Sequence, residues 1–468
     1  MLISVIIYTL LTIICLNHGY FWDNIQQISK EAHWFYFTDF SSLLISAPNL
    51  DAEIIATGYH PPLMGIMTAA LWKVFGYKLW VSHAFIFVWF MILIYNLNKI
   101  TNHFFNKSSI GWIILIVLLE PTLLSQFAIA SPDFILFTAF IISIRAILER
   151  NNLLLAIGIF FLCMINMRGV FVGIILYFCH NYYIQLKSDK KLNTNQLIRN
   201  TIPYLPTIIT LIAYFSYYFS QNGWFFDNTS NQGHYTMPIG FARIFKHLAE
   251  FIIRTIENGR IIIWILALFA VYHTWKTKAK ITSETKFIFS IFILLTILYV
   301  IFIFITQMPF SARYFMPQFF ILTILALSEL DKSLKERNLK NLFLLVICFG
   351  LSGNFWIYPD KISKSWDCTL AHLPYYQLRN ECFEYIDQQK IEYKDISAGF
   401  CLYGNRKFVE LNNSGKIVGY DSNRKYFIYS NISNLEDGFA ASLKNENLWQ
   451  SIKTFKKGFV NITIYKRK

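Results

Sequence analysis

Apolar runs close to twenty residues long recur through the first 358 positions, and short connectors rich in Lys and Arg separate them. At 1.5 Å per helical residue such runs match the roughly 30 Å hydrocarbon core of a bilayer. Backbone amides inside lipid must be satisfied within the segment, so the chain has little choice but to cross as helices. The candidate spans are 2–19, 79–97, 110–129, 133–148, 152–167, 169–184, 201–219, 261–275, 287–306, 312–329 and 341–358. The run 61–76 is the ambiguous one, since it reaches about 24 Å and falls short of the core. Composition agrees with this reading: 55% of residues are hydrophobic and only 15% are charged, against about 25% charged in soluble domains.

Charge decides how the ambiguous run is read. If 61–76 does not cross, the connectors carrying Lys99 and Lys107, Arg145 and Arg150, Lys187 to Arg199, Lys276 to Lys286, and Lys332 to Lys340 all fall on one side. Cytoplasmic loops carry the Lys and Arg excess, which makes that side the cytoplasm. A full crossing would place the basic loops outside. The expectation is a polytopic α-helical membrane protein with about eleven transmembrane helices, an internal N-terminus and a shallow or re-entrant helix at 61–76. The first apolar run has no basic segment before it and no small-residue cleavage pattern after it, and is expected to be retained as a span. The net charge of +14 resides largely in the connectors, so membrane anchoring explains it and nucleic-acid binding is not expected.

Beyond residue 358 the chain turns polar and mixed in charge, with strand-like runs at 425–429 and 459–465, turn signals at Tyr403-Gly404-Asn405, and a helical pattern at 375–389. This divides the chain into a membrane part, 1–358, with a first external loop at 20–78, and a small extracytoplasmic α/β domain, 359–468. Of seven cysteines, Cys15, Cys163, Cys179 and Cys348 lie in apolar runs and are expected to pack. A disulfide between Cys368 and Cys382 is an option for the tail if it meets an oxidising compartment. No zinc-type Cys/His spacing is present, so neither a metal nor another cofactor is expected.

In this topology Asp23, His60, Asp133, Arg168 and Arg313 all reach the external face, as does the loop 220–260 with Trp224, His234, Arg254 and Arg260. Each has a plain structural reading. Asp23 follows Tyr20, Phe21 and Trp22 in what could be an interfacial turn, and His60-Pro61-Pro62 opens a helix as prolines often do. Ser131-Pro132-Asp133 is equally a helix cap. Arg168, in a tight turn beside Gly169, and Arg313 can snorkel. Together they also suit chemistry, with carboxylates available for proton transfer, and a histidine and two arginines available for a phosphate group.

The order Trp22-Asp23, Tyr59-His60-Pro61-Pro62-Leu63, Phe75-Gly76, Glu120-Pro121, Ser131-Pro132-Asp133, Arg168-Gly169 and Arg313-Tyr314-Phe315-Met316-Pro317 resembles glycosyltransferase family 39 and its GT-C relatives. Those relatives include protein O-mannosyltransferases and aminoarabinose transferases, and the match runs over residues 1–330. The resemblance implies a polyprenyl-phosphate-linked sugar donor, and a glycan, lipid or protein acceptor. It also implies an acidic residue of the first external loop as base, matched by Asp23, and an acidic residue of the second external loop, matched by Asp133. His60 stands where the mannosyltransferases have His-Pro-Pro. The family often carries Asp-Glu where this chain has Asp23-Asn24, so a second acid is absent or moved, with Asp39, Asp51 and Glu53 as alternatives. The expected function is an integral membrane glycosyltransferase of the bacterial inner membrane, acting by inversion at the extracytoplasmic face. In that reading Asp23 is the base, Asp133 supports it or orients the acceptor, and His60, Arg168 and Arg313 hold the donor phosphate. A transporter or flippase of a lipid-linked saccharide is the alternative, and it would carry ionisable residues in the middle of its spans.

Overall fold

The computed structural model describes residues 1–43, 60–188, 193–223, 240–305, 310–357, 365–412, 416–419, 421, 423–433, 435 and 437–468. Tyr59, Asp51, Glu53, Trp224 and His234 lie outside the described residues.

The protein is an integral membrane helical assembly with a small C-terminal sheet. Among the described residues five helices are long and apolar enough to cross a bilayer: Leu79–Thr101, Met167–Ser188, Thr194–Gln221, Ser283–Ile305 and Glu336–Phe355. The number rises to seven if two bent pairs each count as one crossing: Lys107–Leu118 with Pro121–Ala128, bent by 61°, and Phe241–Ile256 with Ile261–Thr277, bent by 85°. The eleven crossings expected from hydropathy are therefore not all met by length and composition. The first helix, Leu2–Cys15, has 14 residues, or about 21 Å. The run 110–129 breaks where Glu120 caps a new helix opened by Pro121, as proline dictates. Helices Pro132–Glu149 and Met316–Ser333 are buried on nearly every face, so much of their apolar surface meets protein. Lipid is met elsewhere by exposed rows such as Ile6, Leu10 and Ile13 on the first helix, and Ile297, Ile301 and Phe304 on Ser283–Ile305.

Residues 61–76 hold the 13-residue helix Leu63–Phe75, which Gly76 ends at φ +90°. It packs against the first-loop helix Glu31–Phe37, with Tyr36 and Tyr77 stacked at 5.5 Å between ring centres. Before that helix, Ile25–Lys30 winds as a π-helix.

In the C-terminal segment, strands β1 (Ile396–Ala398), β4 (Tyr426–Ser430), β6 (Val460–Arg467) and β5 (Trp449–Lys457) form a sheet in the order β1-β4-β6-β5, with β1 parallel to β4 and the other pairs antiparallel. Helix Pro374–Gln388 covers β5 and β6. A separate pair joins β2 (Gly404–Asn405) to β3 (Ile417–Val418). The described cysteines are all free thiols. Cys368 is buried beside Ser311 Oγ at 3.4 Å, and Cys382 is buried on helix Pro374–Gln388, so no disulfide joins them. Cys348, expected to pack, is exposed on its helix.

The C-terminal segment and the helices share one apolar core. The seam follows the first loop: Tyr20 N–H donates to Val409 O at 2.9 Å, Ser29 Oγ to Phe408 O at 2.5 Å, and the His18 ring stacks on Tyr376 at 3.9 Å. Gly19 permits this approach, since a Cβ there would stand 2.7 Å from Val409 O.

Candidate active site

Arg313 is the hub at which distant parts of the chain meet. Its guanidinium bonds the carboxylate of Asp23, reaches Asp133 Oδ2 at 3.2 Å and Asp367 Oδ2 at 2.7 Å. Arg168 closes the set from the other side of Asp133, at 2.6 Å from Oδ1, and its guanidinium lies 4.0 Å from the centre of the Tyr314 ring. Four of the five residues singled out in the sequence, Asp23, Asp133, Arg168 and Arg313, thus form one charge network. The three carboxylates differ in access: the side chain of Asp23 is 34% exposed, against 4% for Asp133 and 1% for Asp367.

Local sequence explains each placement. Trp22 adopts φ +50°, a conformation bulky residues rarely accept. The next residue but one, Asn24, then anchors the turn by donating to Ile129 O at 2.8 Å. That carbonyl precedes the Ser131 cap, whose Oγ accepts from Asp133 N–H at 3.2 Å, so Asn24 sets Asp23 beside Asp133. The capping reading of Ser131 and the functional reading of Asp133 therefore hold together. Arg168 follows Asn166, whose side chain accepts its N–H at 3.0 Å at the break between helices Asn152–Ile165 and Met167–Ser188. Gly169 makes that break possible, because a Cβ there would lie 1.6 Å from Leu162 O. Gly169→Ala is accordingly expected to expel Arg168 from its place, giving a polydisperse or poorly folded protein on size-exclusion chromatography; a monodisperse, fully active variant would contradict the geometry.

Arg313 sits on the short turn Ala312–Phe315, and a second tier of ion pairs holds that turn. Arg260 pairs with Glu120 at 2.9 Å and donates to Ala312 O at 2.8 Å. Arg254 pairs with Glu257 at 2.8 Å and donates to Phe310 O at 3.1 Å. Tyr299 Oη donates to Tyr314 O at 2.6 Å. Arg254 and Arg260 thus serve the backbone around Arg313, and Glu120, which the sequence presented only as part of a Glu-Pro motif, is the buried partner of Arg260. Such buried pairs cost desolvation and fix geometry more surely than they add stability.

His60 sits beside this network, close enough to Arg168 and Asp23 to feel both charges. Its Nδ1 accepts from Met167 N–H at 3.4 Å, and its carbonyl accepts from Tyr214 Oη at 3.3 Å. Burial, helped by the neighbouring Arg168, lowers the imidazole to about 3, so His60 is a neutral hydrogen-bonding group rather than a cation. With Nδ1 accepting, the ring proton is assigned to Nε2.

The residue that sequence reasoning missed is Asp367. It sits in a polar stretch that looked like a linker, with no motif around it. Ser125 Oγ and Gln126 Nε2 donate to its carbonyl at 2.6 and 2.7 Å, which docks the turn Trp366–Cys368 onto helix Pro121–Ala128. Burial raises its carboxyl above the usual range while Arg313 opposes the rise. Asp367 supplies a further acid to the site. Asp39, one alternative for that role, instead pairs with Lys73 at 2.5 Å on the surface.

Burial also lowers His33 and His372 to about 4. An unfolded imidazole titrates near 6.5. Below that pH the unfolded chain binds protons that the folded one refuses, so stability present above about 6.5 is lost as the pH falls towards 4. The thermal midpoint of the purified protein is expected to drop across that interval. His372→Phe, which keeps the ring stacked on Phe21, should make the drop shallower; an unchanged slope would remove His372 from the effect.

No family model matches the chain, and no curated protein does. The fold nevertheless has solved counterparts over the full length of the chain. The likeness is to ArnT from Cupriavidus metallidurans, in a structure bound to undecaprenyl phosphate and in one in the apo state. Each has a TM-score of 0.53 and 11% identity, covering 99% of this chain and 97% of that one.

Proposed function

We propose that this protein is an integral membrane glycosyltransferase that moves a sugar from a polyprenyl-phosphate carrier to a hydroxyl of a glycan, lipid or protein. The observation that carries the proposal is the contrast in access among the three carboxylates on Arg313, of which Asp23 alone is substantially open. The full-length likeness to a fold solved with undecaprenyl phosphate supports the same reading.

In the proposed reaction Asp23 takes the proton of the acceptor hydroxyl as its oxygen forms a bond to the anomeric carbon. The bond from that carbon to the carrier phosphate oxygen breaks, and the electron pair leaves with the phosphate. A single displacement inverts the anomeric centre. Arg168, 29% exposed, and the neutral donor His60 face the departing phosphate, where a guanidinium and a hydrogen bond offset the new charge. Arg313 has its arms committed to carboxylates, so its part is to hold Asp23 and Asp133 in position, with Asp133 supporting. The positive-inside pattern puts the site and the 359–468 segment on the extracytoplasmic side of a bacterial plasma membrane, with about eleven crossings.

The test uses proteoliposomes supplied with polyprenyl-phosphate sugars labelled in the sugar. Label appearing in a hydroxyl-linked product of an added envelope extract is the expected result. Label that merely crosses the bilayer, with or without acceptor, would mark a transporter and overturn the reading. Mass spectrometry of envelope glycoconjugates from a deletion strain then names the sugar through the missing mass.

A further inference from the structure

Helix Phe241–Ile256 presents three different faces. With 3.6 residues per turn, His247, Arg254 and Thr255 fall on a side buried against the protein, while Arg243, Lys246 and Glu250 gather on a polar side. The side opposite the polar one carries Phe241, Phe245, Leu248 and Ile252, spaced as a single helical stripe. All four are exposed, Phe241 by 83% and Phe245 by 69%. A row of that kind marks a surface that something apolar covers.

What covers it follows from what the helix joins. The span Ile261–Thr277 leaves it at 85° and turns Ile265, Leu268 and Phe269 outward, as a segment in lipid does. A helix near a right angle to a crossing segment runs along the membrane surface. The bend is braced against straightening: Trp264 Nε1 donates across it to Thr255 O at 2.9 Å, and Arg254 pairs with Glu257 at 2.8 Å. Gly259, at φ +81°, lets the turn press on the next helix, since a Cβ there would stand 2.7 Å from Phe349 O. Arg260, at the start of the span, belongs to the tier of ion pairs beneath Arg313, so the bend lies at the end of the span that carries the charge network. An apolar face opposite a face with two cations and one acid is the pattern of a helix lying in a bilayer interface.

We propose that helix Phe241–Ile256 lies flat in the lipid–water interface, with Phe241, Phe245, Leu248 and Ile252 seated among phospholipid acyl chains and Arg243 and Lys246 turned towards headgroups and water. The contact also sets the depth of the site. Arg254, at the inner end of the helix, donates to Phe310 O, three residues before Arg313, which ties the seat in the lipid to the turn that carries the network. The inference needs only the membrane fold and is independent of sugar transfer.

The test is a nitroxide scan of the full chain in nanodiscs of phosphatidylethanolamine and phosphatidylglycerol, free of polyprenyl lipid. Cys348→Ser removes the exposed native thiol, the other cysteines being buried. Labels are placed at Phe241→Cys, Phe245→Cys and Leu248→Cys on the stripe, at Arg243→Cys and Lys246→Cys on the polar side, and at Leu268→Cys as the reference for lipid. All of these positions are exposed, and a label that disturbs the thermal melt is replaced by its neighbour on the same face. Collisions with oxygen should exceed those with a water-soluble nickel chelate about fivefold or more along the stripe, at a depth of about 5–10 Å, and the order should reverse on the polar side. Equal access of the chelate to both faces would put the stripe in water and overturn the proposal. Protection of the stripe from both reagents would put protein over it and overturn the choice of lipid. Burial that appears only after undecaprenyl phosphate is added would make the stripe a seat for that carrier and overturn the choice of phospholipid.

Discussion

Asp23→Asn is expected to lower sugar transfer by a factor of roughly 10²–10⁴, the range that a positioned general base supplies, while the protein folds and melts close to the parent. The amide keeps the shape of the carboxylate and can still meet Arg313 through its oxygen, but it cannot accept the acceptor's proton. The measurement is a single-turnover transfer assay with a thermal melt on the same preparation. Transfer at the parental rate would remove Asp23 from the chemistry. Loss of both folding and transfer would reduce it to a structural carboxylate. Asp133→Asn serves as the comparison, because both oxygens of Asp133 are already taken by Arg168 and Arg313. Its effect should fall more evenly on stability and rate.

Arg313→Met should have the largest effect on stability. Breaking a buried ion pair by removing one partner costs about 3–5 kcal/mol, and here one cation faces three carboxylates. The hydrophobic replacement leaves Asp367 buried and uncompensated, so the thermal midpoint should fall sharply. Arg313→Lys retains the charge but offers no planar fork with which to span three separate carboxylates. It is expected to recover part of the midpoint and little of the transfer. A Met variant that melts with the parent would show that the network is incidental to the fold. A Lys variant with full activity would show that charge alone, without geometry, positions Asp23.

Much of this site was legible in the linear chain, and the reasons are specific. Asp133, Arg168 and Arg313 are ionisable residues at the ends of apolar helices, where lipid makes an idle charge expensive. Gly169 and Ser131-Pro132 marked the turns that carry two of them. What could not be read was partnership. Asp367 lies 54 positions beyond Arg313 in a polar stretch, and nothing local separates it from a solvated surface acid. Glu120 and Arg260 are 140 positions apart and have no pattern relating them.

Hydropathy and charge placement were enough to establish a helical membrane protein, because water, lipid and the backbone's need for internal hydrogen bonds act on each segment separately. The tertiary structure alone decided that the C-terminal segment completes the charge network and that the two bent helix pairs do not run straight through. It also decided that burial pushes the His60 imidazole towards its neutral form. Those outcomes depend on which surfaces come together and how much water they exclude, and burial created by a distant part of the chain leaves no local trace.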